Sequence, residues 1–311
     1  MSAKVNETVL YFQMLPKLES VCRGLPTPLY YHASKSDQEE SVLVLEDLSS
    51  KSFKTRPLSR GLDKAEACSA LSALAKIHAA SIIYEKRHLK SDLRQEFPFL
   101  MSQNETLDCF QHLVNRGVPL LTKFLQNKPE YKTIRSKLLE YASGDKISKI
   151  ISRAFEPSPK LNSIVHCDFW INNLLFCGPD PPLCCIIDWQ LVTYGKPAID
   201  VALLLTTSLS HDLRKELASS EDDILVQTYW QELNSNMDRL VKGSSDEKLG
   251  KDKLDKVLVD YDISDLKDDL KQAKAMSALV MVGSVDLALG IPQREQRLLS
   301  TLDDYIKEGI L

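Results

Sequence analysis

Glycine is scarce where it would matter most. Only 11 of 311 residues are glycine, and none precedes Gly24. The first part of the chain therefore has no material for a glycine-rich loop whose backbone amides could wrap a phosphate. An excess of positive charge is also lacking. The formal net charge is −4 and the pI about 5.9, so no electrostatic argument favours nucleic acid or an anionic membrane as partner. No basic segment followed by an apolar run opens the sequence, and no apolar run approaches the roughly 18–20 residues of a membrane span. There is no CxxC pair. The seven cysteines (Cys22, Cys68, Cys109, Cys167, Cys177, Cys184, Cys185) are odd in number and irregularly spaced, which predicts free thiols in a reduced, cytoplasmic protein. Adjacent Cys184 and Cys185 would point to opposite faces of a strand, so at most one could join a given site. Buried structural cysteines are expected, not a zinc site.

What is present is an alternation of short strands and amphipathic helices, with no internal repeat. Apolar residues at Val5, Val9, Leu10 and Phe12 predict a short helix over 4–15, ended by Pro16. Two strand-like runs follow, "TPLYYHA" and "SVLVLEDL", separated by the turn-prone "SKSDQEE". The second is almost wholly aliphatic and is expected to be an interior strand. Asp63 with Glu66 predicts a capping box, opening the helix "KAEACSALSALAKIHAAS". His78 lies on the apolar stripe of that helix, where a hydrogen-bonded core histidine is expected. Helical segments then alternate with breaks at Pro119, Pro129 and Gly144. Three short strands come next, "LNSIVH", "NLLFC" and "LCCIID", and helices occupy everything after Pro197. Mixed lysines and acids over 242–274 read as solvated helix faces or a mobile connection.

The chemistry concentrates in "SIVHCDFWINNLLF", residues 163–176, a polar knot between two apolar runs. His166, Asp168 and Asn173 form H-x-D-x-x-x-x-N, and Asp188 ends the strand that follows. Phosphoryl transfer from ATP needs this inventory. One carboxylate orients the acceptor hydroxyl and takes its proton, while a second carboxylate and an amide hold magnesium against the phosphates. Protein kinases use the same Asp-to-Asn spacing, with a magnesium-binding Asp on the next hairpin. Asp168 is therefore the candidate base, Asn173 and Asp188 the candidate Mg²⁺ ligands, and His166 a brace for the loop. Trp170 and Trp189 could stack on a flat or cationic substrate or could equally pack inside the protein.

The motif "HCDFWINNLLF" resembles the H-G-D-x-W-x-x-N-x-x-F signature of the ecdysteroid kinase-like (CHK kinase-like) family, a relative of the choline kinases and aminoglycoside phosphotransferases. "ETVLYFQMLP", "LVLEDL", "LSALAKIHAAS" and "IIDWQLVTYGKPAIDVALLLTTS" agree with it, from about residue 5 to residue 300. The resemblance implies an α+β, protein kinase-like, two-lobed fold. Residues 1–48 would form what there is of an N-terminal β lobe, and residues 49–311 a helix-rich lobe with the catalytic loop. It further implies ATP and Mg²⁺ as cofactors and a small-molecule alcohol, steroid- or choline-like, as substrate. By the same resemblance Glu46, Asp47 and Leu48 become a hinge whose backbone bonds adenine, and Asp200 a buried acid that steadies the catalytic loop. Glu7 becomes the small-lobe acid that pairs with a phosphate-binding lysine.

Two departures shape the expectations. Cys167 stands where the family has glycine, costing roughly 1 kcal/mol if that position is left-handed. The strands expected to carry the phosphate-covering loop and the lysine have no counterpart ahead of Glu7, which leaves two readings. The chain is a small-molecule phosphotransferase, or it is a catalytically impaired kinase-fold binding protein or truncated product. A zinc hydrolase built on His166, Asp168 and the cysteines fails on spacing. Oligomeric state is not readable from the sequence.

Overall fold

The computed structural model describes residues 3–34, 42–89, 91–218, 223–242 and 260–311. The chain opens on α1 (Ala3–Val9), which runs through a single π turn (Leu10–Met14) into α2 (Leu15–Val21). The helix predicted to stop at Pro16 thus continues. Pro16 lies in the first turn of α2, where its missing N–H costs nothing, and the wider π turn before it gives the proline ring room. Strands β1 (Tyr30–Ser34) and β2 (Val42–Leu45) pair antiparallel. The turn expected between them lies, for residues 35–41, outside the described residues. The aliphatic β2 is not an interior strand: Val42 and Val44 are 47% and 43% exposed, while Leu43 and Leu45 turn inward. A two-stranded sheet covers only one face, so alternate side chains meet solvent whatever their polarity.

The capping box at Asp63 and Glu66 is present and opens α3 (Lys64–His88). Helix α3 has the length and apolarity of a membrane span, contrary to the sequence reading, yet 78% of its most apolar window is buried as the central helix of the core. Helices α4 (Leu93–Glu96), α5 (Gln103–Phe124), α6 (Lys132–Ala142) and α7 (Lys146–Phe155) follow. Pro119 does not break α5, because the buried face of Val114, Val118 and Leu121 holds the helix together across it. Two antiparallel pairs carry the polar knot: β3 (Ser163–Val165) with β6 (Thr193–Gly195), and β4 (Leu174–Cys177) with β5 (Leu183–Ile186). Strand β6 escaped the sequence reading because three residues give too little periodicity to read.

The remaining helices are α8 (Ala198–Thr207), α9 (His211–Ala218), α10 (Ile224–Lys242), α11 (Ile263–Gly283) and α12 (Pro292–Lys307). The mixed-charge stretch falls outside the described residues over 243–259. Helix α3 packs on α10, and α11 lies across α8 and α5. At the α5–α11 crossing the backbones meet at Gly117 and Gly283. A Cβ on Gly117 would sit 2.6 Å from the Cα of Gly283, and one on Gly283 would sit 2.6 Å from Cγ of Leu113. Only glycine permits that approach, which sets the depth of α11 against the catalytic segment.

Candidate active site

The β4–β5 register determines which side chains meet. Leu174 pairs with Ile186, so the residues just outside the pair, Asn173 and Ile187–Asp188, are brought opposite each other. The Ile187 N–H donates to the Asn173 carbonyl at 3.1 Å. Asn173, nearly buried, turns back on the knot and donates its Nδ2 to Asp168 Oδ2 at 2.8 Å and to the Asp168 carbonyl at 2.9 Å. That fixes the amide orientation and leaves Asn173 Oδ1 free. The Asp188 carboxylate makes no hydrogen bond or ion pair among the described residues. Two hard oxygens on adjacent elements are therefore uncommitted, which is the donor chemistry a magnesium ion takes.

His166 braces the loop through both ring nitrogens. Its Nδ1 accepts from the Asp168 N–H at 3.2 Å, so Nε2 carries the proton and donates to the Ile187 carbonyl at 2.9 Å. One imidazole thus ties the knot to the segment bearing Asp188. Asp200, fully buried at the start of α8, accepts from the His166 N–H at 2.7 Å and the Cys167 N–H at 2.9 Å. His78 Nε2 reaches the same carboxylate at 3.3 Å, and its Nδ1 lies 2.7 Å from the Tyr229 hydroxyl. His78 is therefore a hydrogen-bonded core histidine that orients Asp200.

Cys167 has φ +65° and Asp188 φ +66°. The left-handed condition on Cys167 is met, so the chain carries about 1 kcal/mol of strain there that glycine would not. The two N–H bonds to Asp200 hold the strained turn in place. Asp188 tolerates the same conformation more readily, as aspartates do.

Burial raises the pKa of Asp168; the neighbouring charge of His166 and the Asn173 hydrogen bond pull it down, and Asp188 pushes it up again. Burial likewise raises Glu7, against the lowering effect of the Trp189 N–H that it accepts at 3.1 Å. Glu7 thus grips the segment after Asp188, and it makes no ion pair among the described residues. Trp189 is fully buried, its ring 4.5 Å from that of His166, so it packs inside the protein and cannot stack on a substrate. Trp170 lines a cavity beside Asp168.

The hinge candidates sit at the end of β2. Glu46 pairs with Lys51 and accepts from the Leu29 N–H at 3.3 Å, and the hydrogen bond from Lys51, then that from Leu29, lowers its pKa. Asp47 caps the short 3-10 turn Leu48–Lys51 through Ser49 N at 2.9 Å and Ser49 Oγ at 2.6 Å. Both acidic side chains are thereby occupied. Among the described residues the Glu46 carbonyl and the Leu48 N–H make no hydrogen bond. The zinc alternative gains nothing: no three His, Cys, Asp or Glu side chains converge among the described residues. Burial pushes the Cys185 thiol up to about 12 and raises the Cys167 thiol well above its ordinary value.

Sequence reasoning missed the cavity beside Asp168, of about 100 Å³. Leu203 of α8, Val280 and Met281 of α11, and Leu298 of α12 form its apolar wall, and Arg294 and Arg297 of α12 also line it. All but Leu203 lie more than a hundred positions from the knot, and each reads locally as an ordinary helix position.

Comparison with known proteins agrees with this geometry at the level of family and fold. The model of the ecdysteroid kinase-like family matches residues 3–242. No curated protein sequence matches the chain. Among solved structures, choline kinase from Cryptosporidium parvum superposes with a TM-score of 0.52 at 14% identity, over all of this chain and 80% of that one. The ethanolamine kinase of Plasmodium vivax gives 0.46 at 12%, covering 97% and 74%. An aminoglycoside phosphotransferase from Streptomyces rimosus, solved with ADP and streptomycin, gives 0.39 at 14%, covering 88% and 82%. The fold is protein kinase-like, with mixed helix and sheet and a helix-rich C-terminal part, and the chain belongs to the ecdysteroid kinase-like family.

Proposed function

We propose that the chain is an ATP- and Mg²⁺-dependent phosphotransferase whose acceptor is the hydroxyl of a small-molecule alcohol. The observation that carries this reading is the Asp168–Asn173–Asp188 arrangement. Asn173 Nδ2 orients Asp168, while Asn173 Oδ1 and the Asp188 carboxylate remain uncommitted. Family membership and the kinase-like fold support it.

Asp168 accepts the acceptor hydroxyl, orients it and receives its proton as the new O–P bond forms and the bond to the departing ADP breaks. The raised pKa of Asp168 makes it a better base than a fully solvated aspartate. Asp200 and His166 keep that carboxylate in place: Asp200 accepts from the His166 and Cys167 N–H groups just before it, and His166 Nδ1 accepts from the Asp168 N–H itself. Asn173 and Asp188 hold magnesium, which neutralises phosphate charge when bound. The Glu46 carbonyl and Leu48 N–H offer the acceptor–donor pair that an adenine edge requires.

A second reading, a kinase-fold protein that binds ligand without catalysis, is favoured by Glu7. Its carboxylate grips the Trp189 N–H, and no lysine among the described residues pairs with it. Thermal stability with Mg-ATP and Mg-ADP, beside Asp188→Asn, separates these readings in two steps. A ligand at a hundredfold excess over Kd stabilises by about 2.7 kcal/mol. A magnesium-dependent rise lost in Asp188→Asn establishes the nucleotide site. Phosphoryl transfer to hydroxylated acceptors, abolished by Asp168→Asn, then supports the enzyme; a rise without transfer to any acceptor supports the binder. No rise at millimolar nucleotide sinks the enzyme and leaves the non-catalytic reading.

A further inference from the structure

The cavity beside Asp168 has an unusual charge arrangement for an alcohol site. Its wall is aliphatic, and the carboxylate of Asp168 lines it together with two arginines. Arg297 is 7% exposed, yet it makes no ion pair among the described residues. Its Nη2 donates to the Leu58 carbonyl, while Nη1 has no partner. Asp304, on the same helix, is already engaged by Arg214. Arg294 donates Nη1 to the Leu287 carbonyl at 3.0 Å and leaves Nε without a partner. A buried guanidinium with an idle donor is costly unless something negative or strongly accepting completes it.

We infer that this cavity is the acceptor subsite, that it selects an alcohol with a slender apolar body and a carboxylate, and that Arg297, assisted by Arg294, is the specificity-determining residue. The inference rests on Asp168 being the acceptor-side base. The hydroxyl meets Asp168, the apolar body lies along Leu203, Val280, Met281 and Leu298, and the carboxylate accepts from Arg297 Nη1. Burial brings Arg297 down to about 10, so it stays charged at neutral pH and gains most from an anion. The same two arginines repel a cationic amino alcohol. A volume of about 100 Å³ suits a short alkyl chain of about four carbons, well below the volume of a drug-sized pocket.

An isosteric series on the full chain, without nucleotide, tests this. Binding of 4-hydroxybutanoate, butane-1,4-diol and 4-aminobutanol is measured by calorimetry and by tryptophan emission, which Trp170 in the cavity wall should report. The hydroxy acid should bind about tenfold tighter than the diol, the usual size of one charge-assisted hydrogen bond, and the amino alcohol weakest. Arg297→Gln should bring the hydroxy acid to the level of the diol, and Arg297→Lys should retain part of the preference. Because Arg297 also anchors Leu58, Arg294→Gln serves as a second variant, expected to narrow the preference without abolishing it. Equal binding of the three ligands, or preference for the amino alcohol, overturns the inference, and the unmodified protein decides this even if a variant fails to fold. The expected order without phosphoryl transfer would leave the subsite standing and remove the kinase reading; transfer confined to amino alcohols would do the reverse.

Discussion

Replacing Asp200 by Asn tests whether the catalytic loop is held from beneath. The carboxylate is fully buried and accepts from the His166 N–H at 2.7 Å, the Cys167 N–H at 2.9 Å and His78 Nε2 at 3.3 Å. Asparagine keeps the shape and one oxygen but turns an NH₂ toward the second N–H. One charge-assisted bond, about 1.5–3 kcal/mol, is lost, and a buried N–H is left without a partner at about 1–3 kcal/mol. Relief of the carboxylate's own desolvation offsets part of this, leaving a net loss of about 2–4 kcal/mol. At the lower sensitivity expected of a chain this long, about 2 °C per kcal/mol, Tm should fall by about 4–8 °C. Differential scanning calorimetry reads that number, and emission from Trp189, whose ring lies 4.5 Å from that of His166, reads the loop itself. The exposed Lys307–Asp303 pair supplies the control, where Asp303→Asn should barely move Tm. A fall below about 2 °C with unchanged emission in Asp200→Asn would refute the claim that Asp200 clamps the loop.

Asp168→Asn should abolish transfer and yet raise Tm at neutral pH. Burial raises the folded-state pKa of Asp168, so its favourable contribution is present below the ordinary value of 3.8 and lost as pH rises through the raised one. The gain in the variant should therefore fade on acidification, and a variant less stable than the parent at pH 7 would contradict this. In the parent, the acid limb of the rate profile should lie above that of an unperturbed aspartate. Glu7→Gln should show the same sign at neutral pH, since burial raises Glu7 too and glutamine can still accept from the Trp189 N–H. Gly283→Val should cost about 1–3 kcal/mol or more by driving α11 off Leu113. Gly290→Ala is its comparison, in open space but at φ +85°, so only backbone strain should register there.

The knot was legible because its information is local. The H-x-D-x-x-x-x-N spacing and the two short apolar runs lie within a few residues of one another, and the hairpin register turns that spacing into contact between Asn173 and the Asp188 segment. Residue Asp200 was reachable only through family resemblance, since nothing in "AIDVALLL" shows that its acid faces backbone N–H groups of the knot. The arginines of α12 were not reachable at all. A helix rich in arginine, glutamine and aspartate reads as a solvated surface, and only the crossing of α11 over α5 turns its neighbour into a cavity wall. The misread β2 shows the converse limit: composition reports how apolar a strand is, but the number of sheet neighbours decides how much of it is covered.

Three aspartates within this small region have been given different roles by their surroundings alone. Asp200 spends its oxygens on the backbone of His166 and Cys167 and has nothing left for a ligand. Asp188 spends none among the described residues, and its left-handed backbone lifts it out of the β5 ladder. Asp168 stands between them, tethered through Oδ2 to Asn173, lining the cavity and with its basicity raised by burial. On the proposed reading, environments that separate otherwise identical carboxylates are how this fold divides structural, cation-binding and proton-accepting tasks among them. The strain at Cys167 belongs to the same scheme. A glycine would reach φ +65° without help, whereas cysteine is held there by Asp200 through the His166 N–H and its own, so in this chain loop geometry and the Asp200 clamp stand or fall together.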